Sequence, residues 1–556
     1  MILRMSLLLT LSALTYAAED PVESPLAEEP AAPPTVEDII PASVSALPEP
    51  SLSSFAGGLT MAVTASDNET QAQVIAGLNH LHGGWEFEAT RHFAAAAKRD
   101  PNCLMAHWGM IMALLAPNPE TDRMREAAFT RMLDLVDEGA GNEIERGYAF
   151  ALIQYRREGP QSAADTFRKL SAKFPNDIQA AIFHAIFARA GYDDSGNARP
   201  QQLESEELLE KALQKYPEST LLLNALLMIR AEAPDLSPSL PLAHKLCQLA
   251  PGYPPYFYVL GHYEWRAGNH LEAASAFNRA STLFDGWMTS SNATMMDCPG
   301  WVASECYRTV ALASKGDFDT ALEAANSVAR IKVPLERAAS PAGRMLLWEG
   351  KTLPTRLLMT RKDKGAAAKA FAALPTSKEL LEYKKGSLAL WLADGLRMNL
   401  DARRLLAENK YDDARAVSEA INQHGEAFTR LKDMASSQGE ATYWHRAFLT
   451  LEILASDLRG ELALAGPKSG QPAAFNWFRA AADRQTRSTM MLPPALLSPV
   501  SLRLAAYQLS KGEAEEAVEV YKEALKAFPN NAAALEGLAA AEKKAAESPQ
   551  QKSDSE

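Results

Sequence analysis

The sequence predicts an all-α solenoid of stacked helical hairpins, and three observations carry that reading. First, a pattern of small, aromatic, small and proline recurs with internal spacings of four, three and five residues. It stands at Ala89, Phe93, Ala96 and Pro101, and at Ala517, Tyr521, Ala524 and Pro529. Ala163, Phe167, Leu170 and Pro175 keep the spacing, as do Ala273, Phe277, Ala280 and Asp285, where an aspartate replaces the proline. Second, a small residue sits twelve positions before each leading alanine: Gly77, Ala151, Gly261 and Ala505. Third, Ser205-Leu209-Ala212-Pro217 and Ser239-Ala243-Leu246-Pro251 are weaker copies 34 residues apart, and another 34 residues lead to Ala273. Small residues let two helices approach, the aromatic wedges between units, and the proline stops the second helix. Units of this kind bury their apolar faces only by stacking, which is the logic of a solenoid.

The rest of the chain falls into order around these copies. Residues 1–18 read as a signal peptide: Arg4 gives the positive start, Ser6 to Tyr16 the apolar run, and Ala17 and Ala18 the cleavage site. That predicts export, to the periplasm or the medium. Residues 19–66, rich in Pro, Glu, Ala and Ser, predict a disordered tether. Residues 67–334 form an N-terminal solenoid, with a degenerate unit around Arg125 to Leu135. In it "GYDDSGNARPQQ" is a loop insertion, and Gly316-Asp317-Phe318 turns into a further degenerate unit at Ala321. Residues 335–495, broken by "SPAGRMLLWEGKTLPTR", "ALPTSKE" and "AGPKSGQP", predict an irregular helical region with long helices at Lys378 to Glu408 and Thr442 to Leu464. A separate helical domain is the alternative there. Residues 496–545 carry the last repeat, and 546–556 a disordered polar tail.

"LGHYEWRAGNHLEAASAFNRA" and "LAAYQLSKGEAEEAVEVYKEALKAFPNN" resemble the tetratricopeptide repeat, with Leu260-Gly261 on a first helix, Gly268-Asn269 at a turn and Ala273, Phe277 and Ala280 on a second. A narrower resemblance, over most of residues 70–545, is to a group of large exported bacterial tetratricopeptide proteins. It rests on "GLNHLHGGWEFEATRHFAAAAKRDPNCLMAHWGM", "ERGYAFALIQYRREGP", "KFPNDIQAAIFHAIFA" and the closing "LPPALLSPVSLRLAAYQLSKGEAEEAVEVYKEALKAFPNNAAALEGL". The histidine-rich central stretch usual in that group is absent, and "APGYPPYFYVLGHYEW" stands near its place. The resemblance implies a right-handed superhelix whose inner helices line a concave groove, and no activity or cofactor.

Composition narrows the partners. A formal charge of −13 on 556 residues repels phosphate backbones and argues against nucleic acid. No later apolar run reaches the ~18 residues of a transmembrane helix. Four cysteines, Cys103, Cys247, Cys298 and Cys306, are too few for a disulfide scaffold. Cys298 and Cys306 can bridge only if Cys298 precedes the helix, since on one helix they would be about 12 Å apart; two buried thiols are the expectation.

His80, His82 and His92 cluster with His107 in the next helix, but His80 and His82 point apart on one helix. They read as surface or groove histidines, with no metal site assigned. Cys103 beside His107, and Cys247, read as helix packing rather than as nucleophiles. "DDSGN" at 193–197 lacks the alternating ligands of a calcium loop. "FDGWMTSSNATMMDCPGW" reads as a loop carrying Trp287, Met288, Met295 and Met296, folded back to cap the groove or, as the alternative, forming an adaptable binding surface.

These readings lead to a non-catalytic scaffold that binds a protein or peptide partner in the bacterial cell envelope, with no catalytic, cofactor or metal residues. The alternatives are a periplasmic small-ligand or metal-binding protein that uses the superhelix interior, and an enzyme accessory subunit. In the scaffold reading, function survives alanine at His80, His82, His107, Cys103 or Cys247.

Overall fold

The structure, a computed structural model, describes residues 33–553 except 53–54, 56, 60, 194, 362, 364, 385–386 and 486–488. The expected signal peptide, and residues 19–32 of the expected tether, lie outside the described residues. Among the described residues the fold is helical, and the only strand-like pairing is an isolated bridge between Tyr192 and Ala198 in the loop insertion. The chain divides into two compact units, residues 1–260 with 285–297, and 261–284 with 298–556.

Unit 1 is built from hairpins: Asn68–His82 with Glu86–Arg99, Leu104–Ala113 with Asp122–Asp137, and Glu143–Glu158 with Pro160–Lys173. Ile178–Ala188 with Pro200–Lys215 and Thr220–Arg230 with Leu240–Leu249 follow. Polar residues start the first helices. Asp67 accepts from the Thr70 amide at 2.7 Å, and Asn142 forms a capping box with Glu145. Pro101, Pro175 and, in unit 2, Pro529 stand two residues beyond the helix ends at Arg99, Lys173 and Ala527. Every alanine and aromatic of the four main copies is buried, including Ala273, Phe277 and Ala280, whereas Ala212 of a weaker copy is partly buried. Ala128, Met132 and Leu135, which show the four-and-three spacing of the degenerate second unit, are buried too.

The wedge is a ring pressed on glycine. A methyl group on Gly77 would lie 2.7 Å from the Phe93 ring, and one on Gly109, in the next hairpin, would collide with the same ring. Phe93 therefore sets the spacing both within its hairpin and to the following one. In unit 2, Gly261 meets Phe277 at the same 2.7 Å, while Gly300 meets Phe284 and Gly537 meets Tyr521 even more closely.

Unit 2 continues with Pro299–Lys315 and Phe318–Ala329, joined by Gly316 at φ 93°, a left-handed turn that favours glycine. Short helices follow, among them a π-helical turn at Leu346–Gly350. Long hairpins then resume: Ala389–Ala407 with Tyr411–Thr429, and Ala441–Ala465 with Ala473–Arg484. Residues 335–495 are thus only half irregular. Ala474, Phe478 and Ala481 repeat the four-and-three spacing, and Phe478 packs on Gly460. The copy escapes a search at twelve residues because Gly460 precedes Ala474 by fourteen. The non-helical stretch before Ser501 is pinned by its carbonyls. Tyr307 Oη donates to Leu492 O at 3.1 Å, Arg356 donates to Ala495 O at 3.2 Å, and Arg446 donates to Pro493 O. Glu349, in the π turn, pairs with Arg356 at 3.0 Å and with Arg446, so these buried charges are matched.

Four expectations need correction. Residues 33–66 are not a tether where described: they form short helices at Val36–Ile39 and Ala42–Ser45, and bury Ile39, Ile40, Val44, Leu59 and Val63 in the unit 1 core. Apolar residues scattered among the prolines supply that anchorage. The polar tail is helical to Ser553, as an extension of Ala532–Ser553. The helix expected at Lys378 to Glu408 is interrupted between Leu381 and Ala389. Trp287 and Met288 lie not in a loop but on the helix His270–Ser291. With Asp285 in the proline position nothing stops that helix until Asn292, which adopts a left-handed φ of 55°.

Ala273→Leu and Gly77→Val should each lower stability by about 1–3 kcal/mol, because both sites are already at closest approach. Leu52→Ser, at an exposed position, should change it by less than about 0.5 kcal/mol. Urea unfolding followed by circular dichroism measures all three; unchanged midpoints for the first two would show that the wedge register is wrong.

Candidate functional site

At the turn of the first hairpin in unit 1, three side chains with metal-ligating atoms converge. Glu88 and His92 are four residues apart on Glu86–Arg99 and share a face. His80, near the end of Asn68–His82, folds back onto that face, because the close approach of Phe93 and Gly77 brings the two helices together. The His80 and His92 rings stack with centroids 5.0 Å apart and planes 14° from parallel. His80, Glu88 and His92 each offer one ligand atom, and these lie within 4.8 Å of one another. All three residues are buried. The surface or groove placement expected for His80, His82, His92 and His107 is therefore wrong: each sits in the core.

Hydrogen bonds fix the roles of the donors. Gln73 Nε2 reaches the Glu49 carboxylate at 3.3 Å, which turns its oxygen toward His92 Nδ1, 2.6 Å away. A carbonyl oxygen only accepts, so His92 Nδ1 carries the proton and Nε2 keeps its lone pair. That Nε2 is buried without a hydrogen-bond partner. His80 Nδ1 lies 3.2 Å from the Tyr253 hydroxyl. Glu88 Oε2 accepts from Arg91 Nη1 at 2.7 Å and from Trp287 Nε1 at 3.0 Å. Arg91 is itself held by the Pro48 carbonyl at 2.9 Å and by Ser291 at 3.2 Å. Phe55, Trp85 and Trp287 wall the cluster, Phe55 edge-on to His80 at 4.9 Å and Trp287 edge-on to Trp85 at 5.1 Å.

Burial governs the protonation states. It pulls His80 well below the usual histidine range, assisted by His92 and Arg91, and pulls His92 down to about 3, assisted by Arg91. Burial raises the Glu88 carboxyl against the opposing pull of Arg91. Both imidazoles are neutral at pH 7.

The other singled-out residues do not join this cluster. His82 faces away, 2.9 Å from Gln179 Oε1, and burial pulls it down to about 4. His107 Nε2 donates to the Pro101 carbonyl at 2.8 Å, and burial pushes the Cys103 thiol up to about 12, so the two form no nucleophile and base. The Cys247 thiol, also pushed to about 12 by burial, donates to the Tyr256 carbonyl at 3.3 Å. Cys298 and Cys306 are buried and unbridged. Sequence reasoning weighed the histidines and missed Glu88, although the four-residue step from Glu88 to His92 on one helix was a visible signal.

An open inner groove is not what unit 1 presents. Every residue of Leu104–Ala113 is buried, and so is every residue from Thr220 to Ile229. Asn224 donates to the His82 carbonyl at 2.8 Å, joining the first and fifth hairpins directly. Residues 57–59 and 61–66 lie over the ends of these helices. The Leu59 amide donates to Asn79 at 2.8 Å, the Thr64 amide to Glu145 at 2.7 Å, and Ser219 donates to the Gly57 carbonyl at 3.1 Å. The exception is Glu143–Glu158, whose exposed face carries Arg146, Phe150 and Arg157.

Stability should fall in acid in a specific window. Below about 6.5 the unfolded chain takes up protons at its histidines that folded His82 and His92 refuse, so stability is full above that pH and is lost as pH falls toward 4. For His82 alone the loss by pH 5 is about 2 kcal/mol, at about 1.4 kcal/mol per pKa unit; the raised Glu88 carboxyl offsets part of the total. Denaturant unfolding at pH 7.5 and pH 5 measures it. His82→Gln should flatten the difference, and an equal pH slope in that variant would show that His82 is not the group responsible.

Residues 499–541 match the tetratricopeptide repeat family. No curated protein matches the chain. Among solved structures, the chain is similar to the P58(IPK) TPR domain at 14% identity, covering 86% of this chain and 99% of that one, with a TM-score of 0.20. Yeast Tom70 is similar at 12% identity over 87% and 90%, TM-score 0.25. Naa15/Naa10 bound to HypK-THB is similar at 12% identity over 87% and 92%, TM-score 0.22. Among the described residues no helix is long and apolar enough to cross a membrane. A tetratricopeptide repeat is thus matched at the C-terminal hairpin of a chain that is helical among its described residues.

Proposed function

We propose that this protein is a non-catalytic scaffold that holds a protein or peptide partner in the bacterial cell envelope. The observation that carries the reading is the exposed face of Glu143–Glu158. In unit 1 the first helices on either side of it are spent in the core, while this one leaves Phe150 51% exposed with Arg146 and Arg157 on the same face. An aromatic flanked by arginines has the composition of an interface hot spot and suits an acidic segment with an apolar anchor. The thiols at Cys103 and Cys247 are buried and protonated, which supports a role without nucleophilic chemistry. The export part of the proposal rests on Arg4, the apolar run from Ser6 to Tyr16, and Ala17-Ala18.

A photo-crosslinking residue at position 150 in living cells tests the partner. The expected result is a covalent adduct with one other protein, lost in Arg157→Glu without a change in melting temperature. Adducts only with other copies of this chain, or none, would overturn it. Amino-terminal sequencing of the cell-derived protein should start near Ala18; an intact Met1 in the cytosolic fraction would remove the envelope from the proposal.

A further inference from the structure

The cluster at the first hairpin turn has the make-up of a metal site, and this goes beyond the scaffold reading. We propose that His80, Glu88 and His92 bind one divalent first-row transition ion through two imidazoles and a carboxylate. Three features of the geometry support it. The donors converge from two helices whose separation is fixed by the Phe93 wedge, so the site is built into the hairpin. His92 presents a buried Nε2 lone pair with no hydrogen-bond partner, while its Nδ1 proton is engaged by Gln73, which Glu49 orients in turn. A ligating histidine is typically held in this way, by a polar partner on the nitrogen away from the ion. An orphaned buried nitrogen is otherwise a cost without return. Glu88 spends Oε2 on Arg91 and Trp287, leaving Oε1 for the ion, and His80 has one nitrogen on Tyr253 and the other to offer.

The ligand set narrows the ion. Two imidazoles and a carboxylate without thiolate suit Zn²⁺, Fe²⁺, Co²⁺ or Cu²⁺, and not the oxygen cages of Ca²⁺ or Mg²⁺. Bonds of about 2.0–2.2 Å at the tetrahedral angle place donors about 3.3–3.6 Å apart. Donor atoms that lie within 4.8 Å of one another therefore need a closure of up to about 1.5 Å, which side-chain rotation would supply. Arg91 opposes the ion with a fixed positive charge beside Glu88, so the affinity should fall below that of a closed thiolate site. Three protein ligands leave positions for water or the Tyr253 hydroxyl.

The test uses the full chain without an affinity tag, stripped with a chelator, reloaded with Zn²⁺, dialysed and submitted to elemental analysis and calorimetry. One zinc per chain is expected. His92→Gln should abolish it and Glu88→Gln should weaken it at least tenfold, whereas His445→Gln, outside the cluster, should bind as the parent does. Co²⁺ should give visible absorption bands of a nitrogen–oxygen site and quench tryptophan emission, because Trp287 and Trp85 wall the cluster. No zinc above background in the reloaded parent chain would overturn the proposal. So would parental affinity in Glu88→Gln with an unchanged circular dichroism spectrum. If His92→Gln fails to fold, Glu88→Gln and the Co²⁺ spectrum of the parent chain decide by themselves.

Discussion

The contact on which this architecture depends is a flat ring lying against a residue that has no side chain. Phe93 touches Gly77 behind it and Gly109 ahead of it, so one side chain sets the distance across its own hairpin and to the next. Interiors packed at crystal-like density transmit such a constraint over several residues. His80 lies one turn beyond Gly77, and His92 is the neighbour of Phe93. The stacking of the two imidazoles is therefore a by-product of the wedge. A bulkier residue at Gly77 would separate the helices and part the donor atoms as well. Where the wedge recurs, as at Phe277 on Gly261 and Phe478 on Gly460, the same depth of interlock follows.

The periodic part of this fold was legible because small, aromatic and proline residues answer to local geometry. Ala128, Met132 and Leu135 could be placed from spacing alone, as could the turn at Gly316. What spacing could not show was a change in connection length. Phe478 belongs to a regular wedge but follows a longer turn, so a search at constant offset passes over it. Asp285 was visible as a missing proline, yet its effect was not drawn: the helix runs on to Ser291 and delivers the Trp287 indole to Glu88. Tyr253 lies 173 residues from His80, so no local pattern connects them. The buried pairing of Glu349 with Arg356 and Arg446 was likewise beyond reach, since charged residues in a broken helical stretch look solvated until the fold encloses them.

The prolines of residues 33–66 misled for a related reason. Proline density opposes regular secondary structure, but it does not prevent a chain from lying extended against a surface that accepts its amides and buries its occasional apolar residues. Asn79 and Glu145 accept its amides, Ser219 donates to its Gly57 carbonyl, and Ile39, Val44, Leu59 and Val63 are buried against the core.

That strap changes how unit 1 must come together. In an ideal repeat array each hairpin meets only its neighbours, and folding can start anywhere and spread. Here the Thr64 amide waits for a carboxylate 81 residues downstream, and the Gly57 carbonyl for a hydroxyl 162 residues downstream. The His82 carbonyl waits for an amide 142 residues away. Contacts of that separation raise the contact order and make closure slow and collective. Unit 1 thus behaves less like a stack that can be shortened from either end than like a ring with a clasp. A chain that ends before Ser219 keeps the fastenings at Asn79 and Glu145 but loses the clasp on Gly57 and the bridge from Asn224 to the His82 carbonyl.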